Sequence, residues 1–262
     1  MTEKYQVLDK KITMSRRAFV QAAAAGNIVI LSAGCETVSQ AFTPSSAQMA
    51  ELAGSAWTDL KSKQPTTNDP KYVSRVNRVM PKIIRAAGDN PAGWEVAVFD
   101  SDDLNAFALP GGKIGFYTGI LDIMENDSQI ATVMGHEVAH VKFNHSGQRY
   151  GRTAATQAGL GVAQVALGGG GQGSQMALGA LGLGAQYGVI LPFSRQHELE
   201  ADKYGLRYMN IAGYDMNQAL RFWEKMSSMK NGAPPEFMST HPSDGTRIAQ
   251  LRREISVLQG RA

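Results

Sequence analysis

The residues with the clearest capacity for chemistry are His136, Glu137 and His140, which form an HExxH string inside an apolar run. Four residues correspond to about 400° of helical rotation, so both imidazoles lie on one face of a helix and can bind a single metal ion. Glu137 then lies next to a water molecule bound to that metal and can act as a general base. The string therefore predicts zinc-dependent hydrolysis.

A catalytic zinc ion needs a third protein ligand and an open position for water. His145 does not fit the metzincin pattern HExxHxxGxxH, because it follows His140 by five residues rather than six, and Phe143 stands where that pattern has glycine. The sequence therefore indicates that the third ligand comes from a later segment of the chain.

The segment 194–202 supplies better candidates for this ligand. Glu198 and Asp202 are four residues apart on a predicted helix and share a face, so that one can bind zinc and the other can orient a ligand imidazole by accepting its second N–H. Glu200 points about 200° away from Glu198 and is predicted to be solvated or salt-bridged. On chemistry alone, His197 competes with Glu198 for the ligand position.

Three separated motifs together resemble one peptidase family. They are HExxH, the helix segment ELEADKYG, and Thr240-His241-Pro242-Ser243 followed by Arg247. In this order, and over about residues 45–262, they resemble the zinc peptidases typified by HtpX, BepA and the CAAX prenyl endopeptidases. The resemblance implies one zinc ion per chain and assigns roles to five residues: His136, His140 and Glu198 as ligands, Glu137 as the base and Asp202 as the carboxylate that orients a ligand.

The same resemblance implies further roles outside the ligand set. His241 would lie near the metal, where it either stabilises an oxyanion or caps the zinc and keeps the enzyme latent; the alternative is an ordinary helix-capping turn. Arg247 would fix the His241 loop or contact a catalytic carboxylate. The strand Asn105–Leu109 resembles the edge strand along which related peptidases bind extended substrate, with Asn105 and Phe107 as candidate substrate-binding residues, or it is an ordinary hairpin strand.

Residues 1–34 are predicted to be an export signal rather than part of the fold. They carry a net charge of +3, and the rest of the chain carries none, which argues against a nucleic-acid partner. The string SRRAFV, followed by a weakly apolar run, resembles a bacterial twin-arginine signal; a cytosolic amphipathic helix is the alternative. LSAGC resembles a lipobox that would lipidate Cys35 and anchor the protein to a membrane, with an ordinary cleaved signal as the alternative.

The remaining chain is divided into a tether at 35–46 and a zinc metallopeptidase domain at 47–262. Apolar periodicity predicts helices over 48–60, 72–87, 195–212, 216–229 and 243–258, and a helix through HExxH capped by Asp127 or Ser128. Alternating residues at 94–99, 105–109 and 113–117 predict a small antiparallel sheet. The fold class is therefore α+β, mainly α, of gluzincin type.

The 42 residues between Arg152 and Arg195 contain no charged residue and 11 glycines. This composition is compatible with a buried helical hairpin, with a mobile or membrane-touching flap beside the site, or with a pair of membrane spans. Only the last would suit a prenyl-protein protease embedded in the bilayer.

The sequence as a whole predicts a periplasmic zinc metalloendopeptidase that acts on extended or misfolded envelope proteins. It lacks the paired hydrophobic spans of HtpX and the tetratricopeptide extension of BepA, so it is closest to the short, lipoprotein-like members. The alternative is a latent, weakly proteolytic assembly factor with a His-capped zinc site and a partner in an envelope assembly machinery.

Overall fold

The computed structural model describes residues 39–40, 42–160, 192–229, 236–242 and 245–261. The leader, Cys35 and most of the uncharged segment 153–194 lie outside the described residues. The order of elements is α1 (Ser46–Lys63), α2 (Pro70–Ala86), β1 (Glu95–Phe99), β2 (Ala106–Leu109), β3 (Lys113–Tyr117), α3 (Thr118–Ile123), α4 (Asp127–Lys142), α5 (His145–Leu160), α6 (Arg195–Ile211), α7 (Asn217–Ser228), α8 (Glu236–Thr240) and α9 (Gly245–Leu258). The predicted α+β class with a helical majority is confirmed.

The three-stranded sheet has the order β1-β3-β2 and is mixed rather than antiparallel. β2 pairs antiparallel with β3, but β1 runs parallel to β3, so the predicted all-antiparallel sheet is wrong in one pairing. The reason is that the chain reverses twice between β1 and β3, the second time at Gly111 and Gly112, which both have positive φ. At the outer side of β1, Thr66 bridges to Phe99, while β2 forms the opposite edge.

The two faces of the sheet are covered by different helices. On one face, α1 brings Trp57 against an aromatic cluster with Phe99, Phe107 and Tyr117. On the other face, α2 and α4 pack against the sheet, and α6, α7 and α9 extend the same core. Helix α4 therefore lies between the sheet and the later helices, and its residues 129–140 are all buried.

Helix α4 begins one residue earlier than the sequence predicts. The side chain of Asn126 accepts a hydrogen bond from the Gln129 backbone N–H, so Asn126 is the N-cap, and neither Asp127 nor Ser128 is. Asp127 occupies the first helical position, where it instead forms a two-pronged ion pair with Arg78 of α2. The cap fixes the start of the helix that carries HExxH.

Helices α4 and α6 cross with backbone against backbone. A Cβ atom added at Gly205 of α6 would lie 3.0 Å from the His136 backbone nitrogen, and one added at Gly135 of α4 would lie 3.1 Å from the Gly205 carbonyl oxygen. The two glycines thus let α6 approach α4 at the turn that carries His136.

We expect Gly205→Ala to destabilise the protein by about 1–3 kcal/mol, because the added methyl group overpacks a backbone contact that can yield only by separating the helices. The measurement is the free energy of unfolding in denaturant. Gly54→Ala in α1 is the matched control: its new Cβ meets nothing within 4 Å, so we expect a gain of about 0.4–1 kcal/mol. An equal response of both variants would contradict the close approach.

Part of the predicted tether packs against the folded body. Asn144, the one described non-glycine residue with positive φ, donates from Nδ2 to the Pro44 carbonyl oxygen at 3.2 Å. A Cβ atom at Gly151 of α5 would lie 2.3 Å from Thr43 Oγ1 and 2.6 Å from the Ser39 carbonyl oxygen. The tether residues Ser39, Thr43 and Pro44 therefore lie against α5 and Asn144, immediately after the HExxH helix. Among the described helices, none has the length and apolarity needed to cross a bilayer.

Candidate active site

Four buried side chains from three parts of the chain converge at the centre of the molecule. α4 contributes His136 and His140, α6 contributes Glu198, and the residue after α8 is His241. One nitrogen or oxygen atom from each lies within 4.8 Å of the others, and each residue is at most 2% exposed. The structure thus brings the three predicted ligands together and adds His241 to them.

The chemistry of these four donors fits one zinc ion. His136 Nδ1 lies 2.9 Å from an Asp202 carboxylate oxygen and therefore donates its N–H there, which leaves Nε2 facing the cluster as the atom that would bind a metal. His140 Nε2 lies 3.0 Å from His136 Nε2, and Glu198 oxygens lie 3.4 Å from both nitrogens. Zinc ligands in a tetrahedron are about 3.3 Å apart, so the spacing suits one ion. A cation at this position would also balance the repulsion between donor atoms that lie so close together.

His241 occupies the fourth position of this cluster. Its Nδ1 lies 3.2 Å from Glu198 Oε1 and 3.3 Å from His136 Nε2, while its Nε2 lies 3.4 Å from Glu137 Oε1. The ring also stacks on Phe237 of α8 with centroids 4.6 Å apart. His241 therefore contacts both the ligand set and the predicted general base, which excludes the reading as an ordinary surface turn.

Glu137 lies beside the ligand cluster with its carboxylate almost fully buried. Its Oε2 accepts a hydrogen bond from the Ala108 backbone N–H at 3.2 Å, and its Oε1 accepts none from the residues that the structure describes. Burial raises the pKa of Glu137, and the nearby His241 and His136 oppose that rise. A carboxylate that holds its proton more readily than usual suits a group that must accept a proton and release it again.

The edge strand β2 faces the site through different residues from those predicted. The Tyr117 N–H donates to the Asn105 carbonyl oxygen, so Asn105 points its backbone toward β3, as does Phe107 two residues later. The Phe107 side chain is 4% exposed and lies over Gly115 in the aromatic cluster under α1. Asn105 and Phe107, the predicted substrate-binding residues, thus turn their backbone polar groups toward β3, and Ala108 between β3 and the site presents its N–H to Glu137.

Arg247 of α9 connects the ligand set to its supporting carboxylate. Its guanidinium makes two 2.7 Å hydrogen bonds to the carboxylate of Asp202 and forms a 2.7 Å ion pair with Glu198 Oε2. It also lies over the Trp223 ring and donates to the carbonyl oxygen of His241. Arg247 therefore contacts the backbone of His241 and the carboxylates of Glu198 and Asp202 at once.

Charge compensation sets the protonation states of the metal-free site. Burial favours the neutral acids and is the largest single influence, but Arg247 and the neighbouring histidines together outweigh it. They hold the pKa of Glu198 well below its usual range, and that of Asp202 below it as well. Burial also opposes charging of His136, yet the carboxylates of Glu198 and Asp202 raise its pKa to about 9. His140, with less support from carboxylates, has its pKa lowered by burial.

The other two histidines lie behind the site rather than in it. His145 Nδ1 lies 2.9 Å from His140 Nδ1, and His145 Nε2 lies 3.1 Å from the carboxylate of Glu200. His197 stacks on His145 and points its Nε2 at Gln148 Oε1 and Arg152, away from the ligand cluster. Between the two candidates for the third ligand, the structure therefore places Glu198, and not His197, among the donors.

Sequence reasoning missed two residues that contact the site. Phe193 stacks on His140 with centroids 3.9 Å apart, and its N–H donates to the Thr240 carbonyl oxygen next to His241. The buried guanidinium of Arg149 lies 3.6 Å above the Phe193 ring, and burial lowers the pKa of Arg149 to about 9. Neither residue stands at a spacing that links it to HExxH, so no local pattern signals its position.

The chain matches the description "Peptidase family M48" over residues 70–255. It belongs to this family. M48 members are metallopeptidases that use zinc, in agreement with the donor set described above, and the resemblance predicted from three motifs is confirmed.

Curated M48 relatives come from mitochondria and from bacteria. The chain is 37% identical over 208 residues to the mitochondrial metalloendopeptidase OMA1 of Schizosaccharomyces pombe (75% of this chain, 58% of that protein) and 32% over 217 residues to that of Arabidopsis thaliana (81% and 42%). It is 27% identical over 207 residues to the beta-barrel assembly-enhancing protease of Escherichia coli (76% and 42%). The chain thus spans about half the length of these relatives.

Proposed function

We propose that this M48 chain is a zinc-dependent metalloendopeptidase that hydrolyses peptide bonds in extended polypeptide segments. The observation that carries the proposal is the position of the Glu137 carboxylate, which lies between a four-donor metal cluster and the backbone of an edge strand. A purely structural metal site has no use for a buried carboxylate that lies beside the metal donors without being one of them.

The chain's own residues divide the work of hydrolysis among them. His136, His140 and Glu198 would hold the zinc ion, which when bound supplies a Lewis acid and a water molecule of lowered pKa. Glu137 accepts the proton of the attacking water and later delivers it to the leaving amine. The outer edge of β2, whose Ala108 lies against Glu137, would align an extended backbone by strand pairing, so we expect the substrate to lack secondary structure at the cleaved bond.

We further propose that the protein is exported and held at a bacterial membrane, where it degrades misfolded envelope proteins. The supporting observations are the SRRAFV leader, the lipobox-like LSAGC and the similarity to a beta-barrel assembly-enhancing protease. The OMA1 relatives are named as mitochondrial proteins, so the relatives do not agree on a compartment and the proposal depends mainly on the leader. Mass determination of Cys35 in protein isolated from membranes tests the lipid anchor.

The test of the peptidase proposal is degradation of an unfolded protein such as casein by the purified, zinc-loaded chain. We expect cleavage that stops when zinc is removed by chelation and returns when one zinc ion per chain is restored. Folded proteins without extended segments are the control and should remain intact. The proposal would be contradicted if the parent and the His241→Ala variant each bound one zinc ion and neither cleaved casein.

A specific observation supports a second candidate, a latent form of the same enzyme. His241 Nδ1 fills the fourth donor position, which a catalytic site keeps open for water. In that case the protein acts mainly as a binding or assembly factor until His241 leaves the cluster. An oxyanion-stabilising His241 would instead be needed for every turnover.

His241→Ala separates these two roles by the sign of its effect. If His241 caps the metal, we expect the variant to degrade casein about tenfold faster or more, which corresponds to a closed state favoured by about 1.4 kcal/mol. If His241 stabilises an oxyanion, the rate should fall by about 10²–10³-fold. Met238→Leu, a volume-conserving change of a buried residue on the adjoining helix α8, controls for disturbance of α8 and should leave the rate near that of the parent.

A further inference from the structure

The two metal-binding imidazoles of α4 are supported in different ways. His136 donates its second N–H directly to the Asp202 carboxylate, which Arg247 clamps with two hydrogen bonds. Within the part of the chain that the structure describes, no carboxylate contacts the far side of His140; its Nδ1 instead lies 2.9 Å from Nδ1 of His145. His145 is fully buried at the start of α5, and its Nε2 lies 3.1 Å from Glu200 Oε2.

The hydrogen-bond donors and acceptors along the series His140–His145–Glu200 follow from one requirement. For His140 to bind a metal through Nε2, its Nδ1 must carry the proton and donate it, so His145 Nδ1 must accept. A neutral His145 then carries its proton on Nε2 and donates to the carboxylate of Glu200. The ring is held in this orientation by His197, which stacks on it at a centroid distance of 4.2 Å with the planes 9° apart.

We propose that His145 is a positioning residue for the zinc ligand His140, and that it relays the support of Glu200, whose side chain is 44% exposed. The inference rests on the proposed function only in that it concerns the same metal site. His136 is oriented by the buried carboxylate of Asp202. His140 is oriented by the neutral imidazole of His145, which in turn donates to a partly exposed carboxylate. The second support is therefore the weaker one and can be altered from the surface without disturbing the core.

The first test compares two substitutions of His145 by zinc affinity, measured on the metal-free full chain by competition with a chromophoric chelator. His145→Leu fills the same space but leaves the His140 N–H without an acceptor, and we expect zinc to bind about 10–100-fold more weakly. His145→Asn places an amide oxygen close to the position of the lost Nδ1 and should recover most of that affinity. A merely structural role would penalise both variants alike.

The second test addresses the relay from the exposed end. Glu200→Ala should weaken zinc binding by about tenfold, the lower end of the effect of such outer partners. Glu224→Ala, an equally exposed glutamate that pairs with Arg252, is the matched control and should leave zinc affinity unchanged. In the His145→Asn background Glu200→Ala should have no further effect, because the shorter side chain has no second donor ring atom to reach Glu200.

The visible spectrum of the Co²⁺-substituted protein provides a readout of ligand geometry that does not depend on proteolysis. We expect His145→Leu to shift its d–d bands and His145→Asn to preserve them. Unchanged zinc affinity in His145→Leu would overturn the proposal, as would equal losses in the Leu and Asn variants. If His145→Leu does not fold, the comparison of Glu200→Ala with Glu224→Ala decides. Equal zinc affinity in these two variants would show that Glu200 does not support His140 through His145. A peptidase that proved inactive would leave all of these measurements intact.

Discussion

Glu137→Gln is expected to lower the rate of casein hydrolysis by about 10²–10⁴-fold, while each chain still binds one zinc ion. The amide has the shape of the carboxylate and can still accept the Ala108 N–H, so the edge strand and the ligand cluster keep their positions. What it cannot do is take a proton from water. The measurement is kcat/KM on casein together with the zinc content of the same sample.

The same variant should gain stability at neutral pH when the metal is removed. Burial raises the pKa of Glu137, so this carboxyl favours the folded state below its unfolded pKa of about 4.3, and that contribution is lost as the pH rises through the folded pKa. Glutamine carries no charge at any pH and escapes this loss. We therefore expect a higher melting temperature for metal-free Glu137→Gln at pH 7, and a difference that vanishes near pH 4. A variant that cleaves casein as fast as the parent would refute the assignment of the base.

Arg247→Met is expected to destabilise the metal-free protein by about 3–5 kcal/mol, because it strands two buried carboxylates without their cation. The free energy of unfolding in urea at pH 7 measures the loss. Arg252→Met is the matched control, since it breaks an exposed ion pair with Glu224 and should cost about 0.2–1 kcal/mol.

The pH dependence of this loss follows from the direction of the shifts. Arg247 holds the pKa values of Glu198 and Asp202 below their usual range, so their contribution to stability is present above the unfolded pKa of about 4 and disappears as the pH falls through the folded values. The gap between parent and Arg247→Met should therefore be largest near neutrality and shrink in acid. Adding Asp202→Asn to Arg247→Met removes one stranded charge and should restore part of the stability. A gap that does not depend on pH would contradict this account.

The ligand set could be predicted because its members carry their spacing in the local sequence. His136 and His140 are one helical turn apart, as are Glu198 and Asp202, so each pair shares a face once a helix is accepted. The pairing of His136 with Asp202 follows from the need of a ligand imidazole for an acceptor. Helix periodicity also predicted α1, α2, α6, α7 and α9 to within about two residues, apart from the end of α1, which runs three residues further.

The remaining features depend on long-range packing that no local pattern encodes. Whether Phe107 or Ala108 faces the site is a matter of one residue of register, and both are small or apolar enough for either face. The spacing of His145 excludes it as a metzincin-type ligand, but the break between α4 and α5, where Asn144 has positive φ, leaves it behind the ring of His140. Nothing in the sequence around Phe193 shows that it stacks on His140.

The backbone contact between Gly135 and Gly205 bears on how far this site can drift during evolution. Where two helices meet through side chains, each exchange of a leucine for a methionine or an isoleucine resets the gap between them by some fraction of an ångström. Here no rotamer intervenes at the crossing, so the separation of His136 from Glu198 is inherited from main-chain dimensions. We therefore expect the surrounding interface to tolerate substitutions, whereas Gly135 and Gly205 themselves should not be replaceable by larger residues.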